Sequence, residues 1–191
     1  MSQKTDAKRQ LIIDKATEIF SSKGYREVTM KDIVENCEIS RGGLYLYYSS
    51  TEEIFLDVLS EDQEGENIED LEGASAAELL LWFLKEQKRE ILKKKNNLIV
   101  AKYEYAFACR QNGKNSGVKK KIDTESLILE KILVKGNESG EFVCKDPKAT
   151  ASNMLYALQG MKVCQGTAGI TEKKVDSELV YMMRQFMEVE D

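Results

Sequence analysis

The residues best suited to chemistry in this 191-residue chain lie in one short run, positions 40–48, with the sequence SRGGLYLYY. Arg41 brings a positive charge, and two glycines follow it, so the backbone there can approach a large partner closely. Tyr45 and Tyr47 carry hydroxyl groups that can donate hydrogen bonds to phosphate oxygens. Residues of these types in one exposed segment are typical of a surface that binds nucleic acid.

The flanking sequence predicts how this run is held. An apolar stripe at helical spacing predicts a helix before it, formed by Met30, Ile33, Val34 and Cys37. Thr29 is a suitable N-cap for that helix, with Asp32 placed to complete a capping box. Ser40 caps a second helix, and Ser50 with Glu53 forms a capping box for a third. A helix, a tight turn and a second short helix form the geometry that places a recognition helix in a DNA major groove.

Residues 11–55 resemble the N-terminal domain of the TetR/AcrR family of bacterial transcriptional regulators. The resemblance rests on Phe20, Gly24, Tyr25, Thr29, Ile33, Ile39, Ser40, Gly42, Leu44, Tyr45, Tyr48, Ser50, Glu52 and Phe55. It implies that Leu44 and Tyr48 pack inside the domain. The expected DNA-binding residues, from the run and the resemblance together, are Thr29, Lys31, Ser40, Arg41, Gly42, Gly43, Tyr45, Leu46, Tyr47 and Thr51.

The chain departs from the usual pattern of that family in three places. Cys37-Glu38 stands where the family usually has Ala-Gly, so the turn must form without a glycine. Gly43 replaces a side chain that often reads a base, which leaves Arg41, Leu46 and Tyr47 as the main candidate readers. Thr51 stands where the family often places a lysine near phosphate.

The composition favours an all-α fold. The chain has one proline, and apolar residues recur at helical spacing nearly throughout. No apolar run approaches the roughly 18–20 residues of a membrane span, and the N-terminus lacks the apolar segment of a signal peptide, so a cytoplasmic protein without a membrane partner is expected. The chain has no histidine, which removes Ser-His-Asp and Cys-His catalysis and most transition-metal sites. Neither an enzyme, a metal nor a cofactor is expected.

Two features leave alternatives open. The four cysteines are scattered, which favours bystander thiols, although Cys109 or Cys164 as a redox sensor remains a second interpretation. The net charge is −5, but residues 1–48 carry eight Lys or Arg against seven Asp or Glu, so the excess acid lies mainly outside the candidate DNA-binding region. Within that region Lys8, Arg9, Lys31 and Arg41 can supply cations to one face.

The domain organisation follows from these patterns. We expect a three-helix DNA-binding domain at 1–49, a connecting helix and acidic linker at 50–72, and a larger helical domain at 73–191 for ligand binding and dimerisation. The stretch 61–73 has seven acids and no base, which favours a solvated linker over an acidic docking surface. Five helices are expected beyond it, at about 75–94, 97–111, 116–135, 147–166 and from 171 onward, with a break at 136–142.

Two sets of residues are candidates for further sites in the larger domain. A ligand pocket is expected to be apolar with a few polar anchors, which points to Trp82, Phe83, Tyr103, Glu104 and Phe107, although ordinary core packing is the competing interpretation. The last two helices have wide apolar faces, and the resemblance implies that they pair with a second copy. The residues expected there are Met154, Tyr156, Leu158, Met161, Leu179, Met183 and Phe186, with Tyr156, Val163, Val180 and Met187 off the main stripe.

The sequence therefore predicts a homodimeric, ligand-responsive transcriptional regulator, most simply a repressor. It would bind a palindromic double-stranded operator and be released by a small-molecule effector, with helix 4 as the lever between the two domains. The alternative is a protein-interaction module on the same fold, for which DNA is a scaffold or no partner at all.

Overall fold

The computed structural model describes residues 3–62 and 73–186, and these residues are helical with no strands. The helices are α1 (Gln3–Lys23), α2 (Met30–Cys37), α3 (Arg41–Tyr45), α4 (Thr51–Glu61), α5 (Ala76–Leu92), α6 (Ile99–Gln111), α7 (Val118–Ser139), α8 (Pro147–Thr167) and α9 (Glu172–Met183). The all-α prediction is confirmed. Most of the acidic stretch 61–73 lies outside the described residues.

The predicted helix starts are confirmed at four positions. Thr29 and Asp32 form a reciprocal capping box at α2. Ser40, Asp146 and Thr171 each accept a hydrogen bond from a backbone N–H in the first turn of α3, α8 and α9. These side chains satisfy backbone donors that a helix N-terminus leaves without an intrahelical partner.

The expected capping box at α4 forms only in part. Ser50 accepts from the backbone N–H of Glu53, at 3.2 Å. The carboxylate of Glu53 accepts instead from the backbone N–H of Ser49, at 2.6 Å, and from its hydroxyl, at 2.8 Å. The acidic side chain therefore reaches one residue further back than the usual motif.

The described residues divide into two compact units, and the first is discontinuous in sequence. It contains α1 to α4 together with residues 94–114, which include α6. Its core is built around four rings: Phe55 lies 4.7 Å from Phe20, 4.9 Å from Tyr25 and 5.3 Å from Tyr105, measured between ring centroids. Because Tyr105 belongs to α6, this core includes a helix that the sequence assigned to the larger domain.

The second unit contains α5, α7, α8 and α9. Its core is mostly aliphatic and methionine side chains, such as Leu80, Leu129, Met154 and Leu158, which are all nearly or fully buried. The expected boundaries at 49 and 72 stay a prediction for the functional domains.

The predicted break at 136–142 begins too early. Helix α7 continues through Gly136 to Ser139, and Gly140 ends it with a φ of 78°. Gly136 is needed for packing instead, because a Cβ atom there would lie 1.9 Å from the Phe142 ring. The ring of Phe142 therefore lies directly against the backbone of α7.

Candidate nucleic-acid interface

The turn between α2 and α3 forms without a glycine, as the sequence requires. Glu38 adopts the left-handed conformation, with φ 53° and ψ 37°, and its N–H donates to the carbonyl of Val34. A residue with a Cβ atom in this conformation costs about 1 kcal/mol. The core of the first unit anchors the turn on both sides, since Cys37 is buried in that core and Ile39 packs against the core.

Two buried side chains anchor α3 and the residues after it to the core of the first unit. Leu44 is fully buried and Tyr48 nearly so, which confirms the packing expected for both. The backbone N–H groups of Tyr47 and Tyr48 both donate to the carbonyl of Leu44, at 2.9 and 3.1 Å. The segment therefore has a defined conformation although α3 itself is only five residues long, shorter than the predicted run 40–48.

The opposite side of this segment faces solvent. Arg41 and Gly42 are exposed, Tyr45 is 51% exposed and Leu46 is 84% exposed, whereas Tyr47 is half-buried. A Cβ atom added at Gly42 would meet nothing within 4 Å. The exposed residues form one continuous surface with little relief in its first turn, which suits close approach to a duplex.

Thr29, Lys31 and Thr51 are the candidate DNA-binding residues that lie outside positions 40–48. Thr29 is exposed, but its hydroxyl donates to Asp32 Oδ2 at 2.5 Å, so much of its hydrogen-bonding capacity serves the capping box. Lys31 is exposed with Glu35 3.6 Å away, and Thr51 is half-buried at the start of α4. Their contacts with DNA stay predictions.

Arg9 is engaged inside the unit. Its Nη2 and Nε atoms lie 2.6 and 3.1 Å from Asp57 Oδ2, and Nε also donates to the Tyr48 hydroxyl at 3.2 Å. That hydroxyl donates in turn to Asp57 Oδ2 at 2.7 Å. Burial, together with the bond to Asp57, raises the pKa of Tyr48 to about 12. The network connects Arg9 of α1 and Asp57 of α4 to Tyr48, the last residue of the run at positions 40–48. Arg9 is therefore paired with Asp57.

A second ionic contact connects the end of α1 to the first turn of α2. Lys23 Nζ lies 2.5 Å from Asp32 Oδ1, and Asp32 also accepts from the backbone and hydroxyl of Thr29. The pKa of the Asp32 carboxyl lies well below its ordinary value. The hydrogen bond from Lys23 is the largest cause, and the bonds from Thr29 add to it. The end of α1 is therefore fastened to the start of the helix-turn-helix.

Glu104 on α6 makes structural contacts within the first unit, and its role as a ligand anchor stays a prediction. Its Oε2 accepts from the backbone N–H groups of Tyr25 at 2.6 Å and Arg26 at 3.1 Å. Gly24 precedes them with a φ of 80°, and a Cβ atom there would lie 2.4 Å from Glu104 Oε2. The carboxylate thus has its partners in the turn after α1, without a cationic ligand or Arg110.

Glu52 on α4 makes a second link between α6 and the helices of the first unit. Its carboxylate accepts from Lys114 Nζ at 2.8 Å and from the Tyr105 hydroxyl at 3.3 Å. The bond from Lys114 is the main cause of the lowered pKa of Glu52. Glu104 and Glu52 together connect α6 to both ends of the helix-turn-helix.

The other predicted ligand residues are divided between the two units. Trp82 is half-buried and Phe83 buried in the second unit. Tyr103 is half-buried and Phe107 is 58% exposed in the first. Phe83 is a core residue in the arrangement described, and the grouping of these side chains around one ligand stays a prediction.

The second unit contains a polar layer that sequence reasoning missed, formed by Gln87, Glu90, Lys121, Glu125 and Lys162. Lys162, only 4% exposed, donates to Glu90 at 2.7 Å, and Lys121 lies 3.6 Å from Glu90 and 3.7 Å from Glu125. Gln87 Oε1 and Glu125 Oε2 are buried without a hydrogen-bond partner. Lys162 lies directly after Met161 of the apolar α8 stripe, and no local pattern distinguishes it from a surface lysine.

Five of the seven predicted dimer residues, Met154, Leu158, Met161, Leu179 and Phe186, are buried in the core of their own unit. Their role in a dimer stays a prediction. Met183 is half-buried.

A different set of residues on α8 and α9 faces outward. Tyr156 and Tyr181 are 71% and 66% exposed, and Val163 and Val180 are 43% and 39% exposed. Met187 lies outside the described residues. Among the described residues, no helix is both long and apolar enough to cross a membrane.

Comparison with known proteins agrees with this geometry. Residues 12–58 match the sequence model of a family described as bacterial regulatory proteins, tetR family. The match begins in α1 and ends in α4, so it covers the helix-turn-helix and its supports.

Relatives extend the similarity beyond that domain. The chain is 29% identical over 177 residues to YfiR of Bacillus subtilis (strain 168), named as an HTH-type transcriptional regulator, which covers 90% of this chain and 85% of YfiR. A TetR transcription regulator from Haloarcula marismortui has a similar fold, with a TM-score of 0.79, 15% identity and coverage of 96% and 100%. A transcriptional regulator from Saccharomonospora viridis, solved in complex with choline, gives a TM-score of 0.73 at 18% identity, with coverage of 97% and 100%.

Proposed function

We propose that this chain, whose residues 12–58 match the tetR family of bacterial regulatory proteins, is a homodimeric repressor that binds a palindromic operator and releases it when a small-molecule effector binds. The observation that carries the proposal is the exposed surface formed by Arg41, Gly42, Tyr45 and Leu46 on a rigid support. A dimer presents two such surfaces, which fit successive major grooves about 34–36 Å apart. A protein bound in this way at a promoter prevents other proteins from occupying the same DNA.

The DNA-binding part is tested by selection of randomised duplex DNA on the purified protein. We expect a palindromic sequence, and we expect the double variant Arg41→Ala, Tyr47→Ala to lose it. Arg110→Ala is the matched control, since Arg110 is an exposed arginine on α6 outside the candidate interface. Enrichment that survives in the double variant would contradict the assignment of residues 41–47.

The dimer is proposed to form through the outward residues of α8 and α9. Tyr156, Val163, Val180 and Tyr181 give two helices that are consecutive in the chain a partly apolar surface, as homodimer interfaces require. Tyr156→Glu with Tyr181→Glu should convert the dimer into a monomer in analytical ultracentrifugation, while Tyr45→Glu should not. A wild-type protein that sediments as a monomer at tens of micromolar would contradict the proposal.

The effector is proposed to bind in the second unit. Trp82 is the sole tryptophan of the chain and packs against that unit's core, so its fluorescence reports on a ligand bound nearby. Choline is a rational first probe, because a regulator of similar fold was solved in complex with it. A compound that both changes Trp82 emission and weakens operator binding with the same midpoint would support the proposal. Compounds that bind without affecting DNA affinity would argue against coupling.

A protein-interaction module is the second candidate function. It is favoured if selection recovers no sequence at low salt and a partner is captured through the acidic residues 61–72. Most of that stretch lies outside the described residues, so the proposal depends on its composition alone.

A further inference from the structure

Leu46 is more exposed than any other large apolar side chain among the described residues, at 84%. It follows the last residue of α3 and lies between Tyr45 and Tyr47. A single exposed leucine on an ordinary surface needs no explanation. This leucine lies at the centre of the surface proposed to enter the major groove, so its chemistry bears on what that surface can read.

The position of Leu46 is well defined by its neighbours. Leu44, two residues before it, is fully buried, and Tyr48, two residues after it, is 4% exposed. The Tyr48 hydroxyl is hydrogen-bonded to Asp57 and Arg9, which fixes the end of the segment. Anchors on both sides hold the backbone at position 46 in place, so its side chain projects from a rigid base.

The rest of the recognition surface has few groups that read bases by hydrogen bonding. Gly42 and Gly43 have no side chains, and Arg41 is the one charged residue in positions 40–48. The tyrosine hydroxyls at 45 and 47 can reach phosphates, which give orientation without sequence information. A large share of the readout therefore depends on apolar contact.

The major groove offers one apolar group for such contact, the C5-methyl of thymine. We propose that Leu46 reads thymine by packing its methyl groups against this C5-methyl, and that it thereby sets a thymine requirement in each half-site. This inference rests on the proposed operator binding and adds the base that one residue recognises. Burial of one methyl group corresponds to about a fourfold change in affinity for each thymine that is contacted.

The test is a paired selection from randomised duplexes, which works whatever the operator sequence is. One library is amplified with thymidine triphosphate and the other with deoxyuridine triphosphate, which differs from it by this methyl group alone. The wild-type protein should enrich a thymine position in the first library and lose that preference in the second, with the other positions unchanged. Leu46→Ala should show only a weak preference at this position in both libraries. Leu46→Met, which keeps an apolar side chain, should restore the preference for thymine in the thymidine library.

Controls separate this inference from the proposed function. Leu81→Ala removes a leucine that is 49% exposed on α5 and should leave both selections as in the wild type. Identical enrichment of the same positions in the thymidine and deoxyuridine libraries would overturn the role of Leu46 and leave operator binding intact. No enrichment in either library would overturn operator binding and this inference with it. Helical content of each variant, measured by circular dichroism, shows that a loss is not due to unfolding.

Discussion

The two units of this protein satisfy their interior polar groups differently. In the first unit, the carboxylates of Glu104, Glu52 and Asp57 each accept at least two hydrogen bonds from named partners around a cluster of aromatic rings. In the second unit, the core is aliphatic and methionine-rich, and Gln87 Oε1 and Glu125 Oε2 are buried without partners. The first arrangement favours one conformation, whereas the second leaves two buried acceptors unsatisfied.

This difference supports the division of work that we propose, with DNA binding in the first unit and the ligand response in the second. A surface that reads DNA must keep its side chains in fixed positions, and the first unit does so by satisfying its polar groups. A unit that responds to a ligand needs two arrangements of similar free energy, and methionine side chains with unsatisfied acceptors favour that. The predictions below test this comparison by perturbing one unit at a time.

The largest effect is expected in the aromatic cluster of the first unit. Phe55→Ala removes a fully buried ring that contacts three other rings, and should lower the free energy of unfolding by about 3–5 kcal/mol. Urea denaturation followed by circular dichroism measures the loss. Phe107→Ala, at a ring that is 58% exposed, should change stability by less than about 0.5 kcal/mol. Similar losses in the two variants would show that the cluster is not the core of this unit.

The next effect concerns the carboxylate on α6. Glu104→Ala leaves the N–H groups of Tyr25 and Arg26 without their acceptor and should cost about 2–3 kcal/mol. Glu104→Gln keeps an acceptor oxygen and should cost about half as much stability. Both variants should also lose operator affinity, and Glu104→Gln should lose less than Glu104→Ala. A Glu104→Ala protein with normal stability and DNA affinity would mean that α6 does not hold the helix-turn-helix.

A smaller effect depends on pH. The folded-state pKa of Asp32 is lowered by Lys23 and Thr29, so its stabilising contribution is present above its unfolded pKa of about 3.9 and is lost as pH falls through the folded value. Asp32→Asn should therefore cost about 1 kcal/mol at pH 7, the usual value of such a cap, and progressively less below pH 4. Thermal denaturation of both proteins from pH 7 to pH 2.5 measures the difference. A difference that does not change with pH would show that the charge of Asp32 is unimportant.

The smallest effect, with the opposite sign, is expected in the second unit. Gln87→Met replaces a buried side chain whose Oε1 has no partner by an apolar one of similar length, and should leave stability unchanged or raise it by up to about 1 kcal/mol. The same replacement at Gln185, an exposed residue that follows α9 in the same unit, is the control for the side-chain change itself. A clear loss at Gln87 alone would mean that its amide makes hydrogen bonds that stabilise the second unit.

Local signals explain what could be read from the sequence. The caps at Thr29 and Ser40 act within three residues, and Leu44 and Tyr48 follow from the family pattern, so all four were predictable. The role of Glu104 was not, because its partners lie 78 and 79 residues away in the chain.

The sequence could not assign the dimer residues for a related reason. A stripe such as Met154, Leu158 and Met161 shows that a helix has an apolar face, but not whether its own chain or a second copy covers that face. In the structure these three side chains are buried within their own unit. The break expected at Gly136 failed because glycine there permits close packing of Phe142 rather than a turn.

The insertion of α6 into the first unit has a consequence for synthesis on the ribosome. The helix-turn-helix is translated early, yet its core is incomplete until residues 94–114 follow. At a translation rate of about 5–20 residues per second, this leaves an interval of several seconds. During it, Phe55 and Tyr25 have no Tyr105 to cover them, and the turn after α1 lacks its acceptor on Glu104. The nascent chain therefore presents an apolar surface next to its DNA-binding helices, and chaperones that bind such surfaces have their best opportunity before α6 emerges.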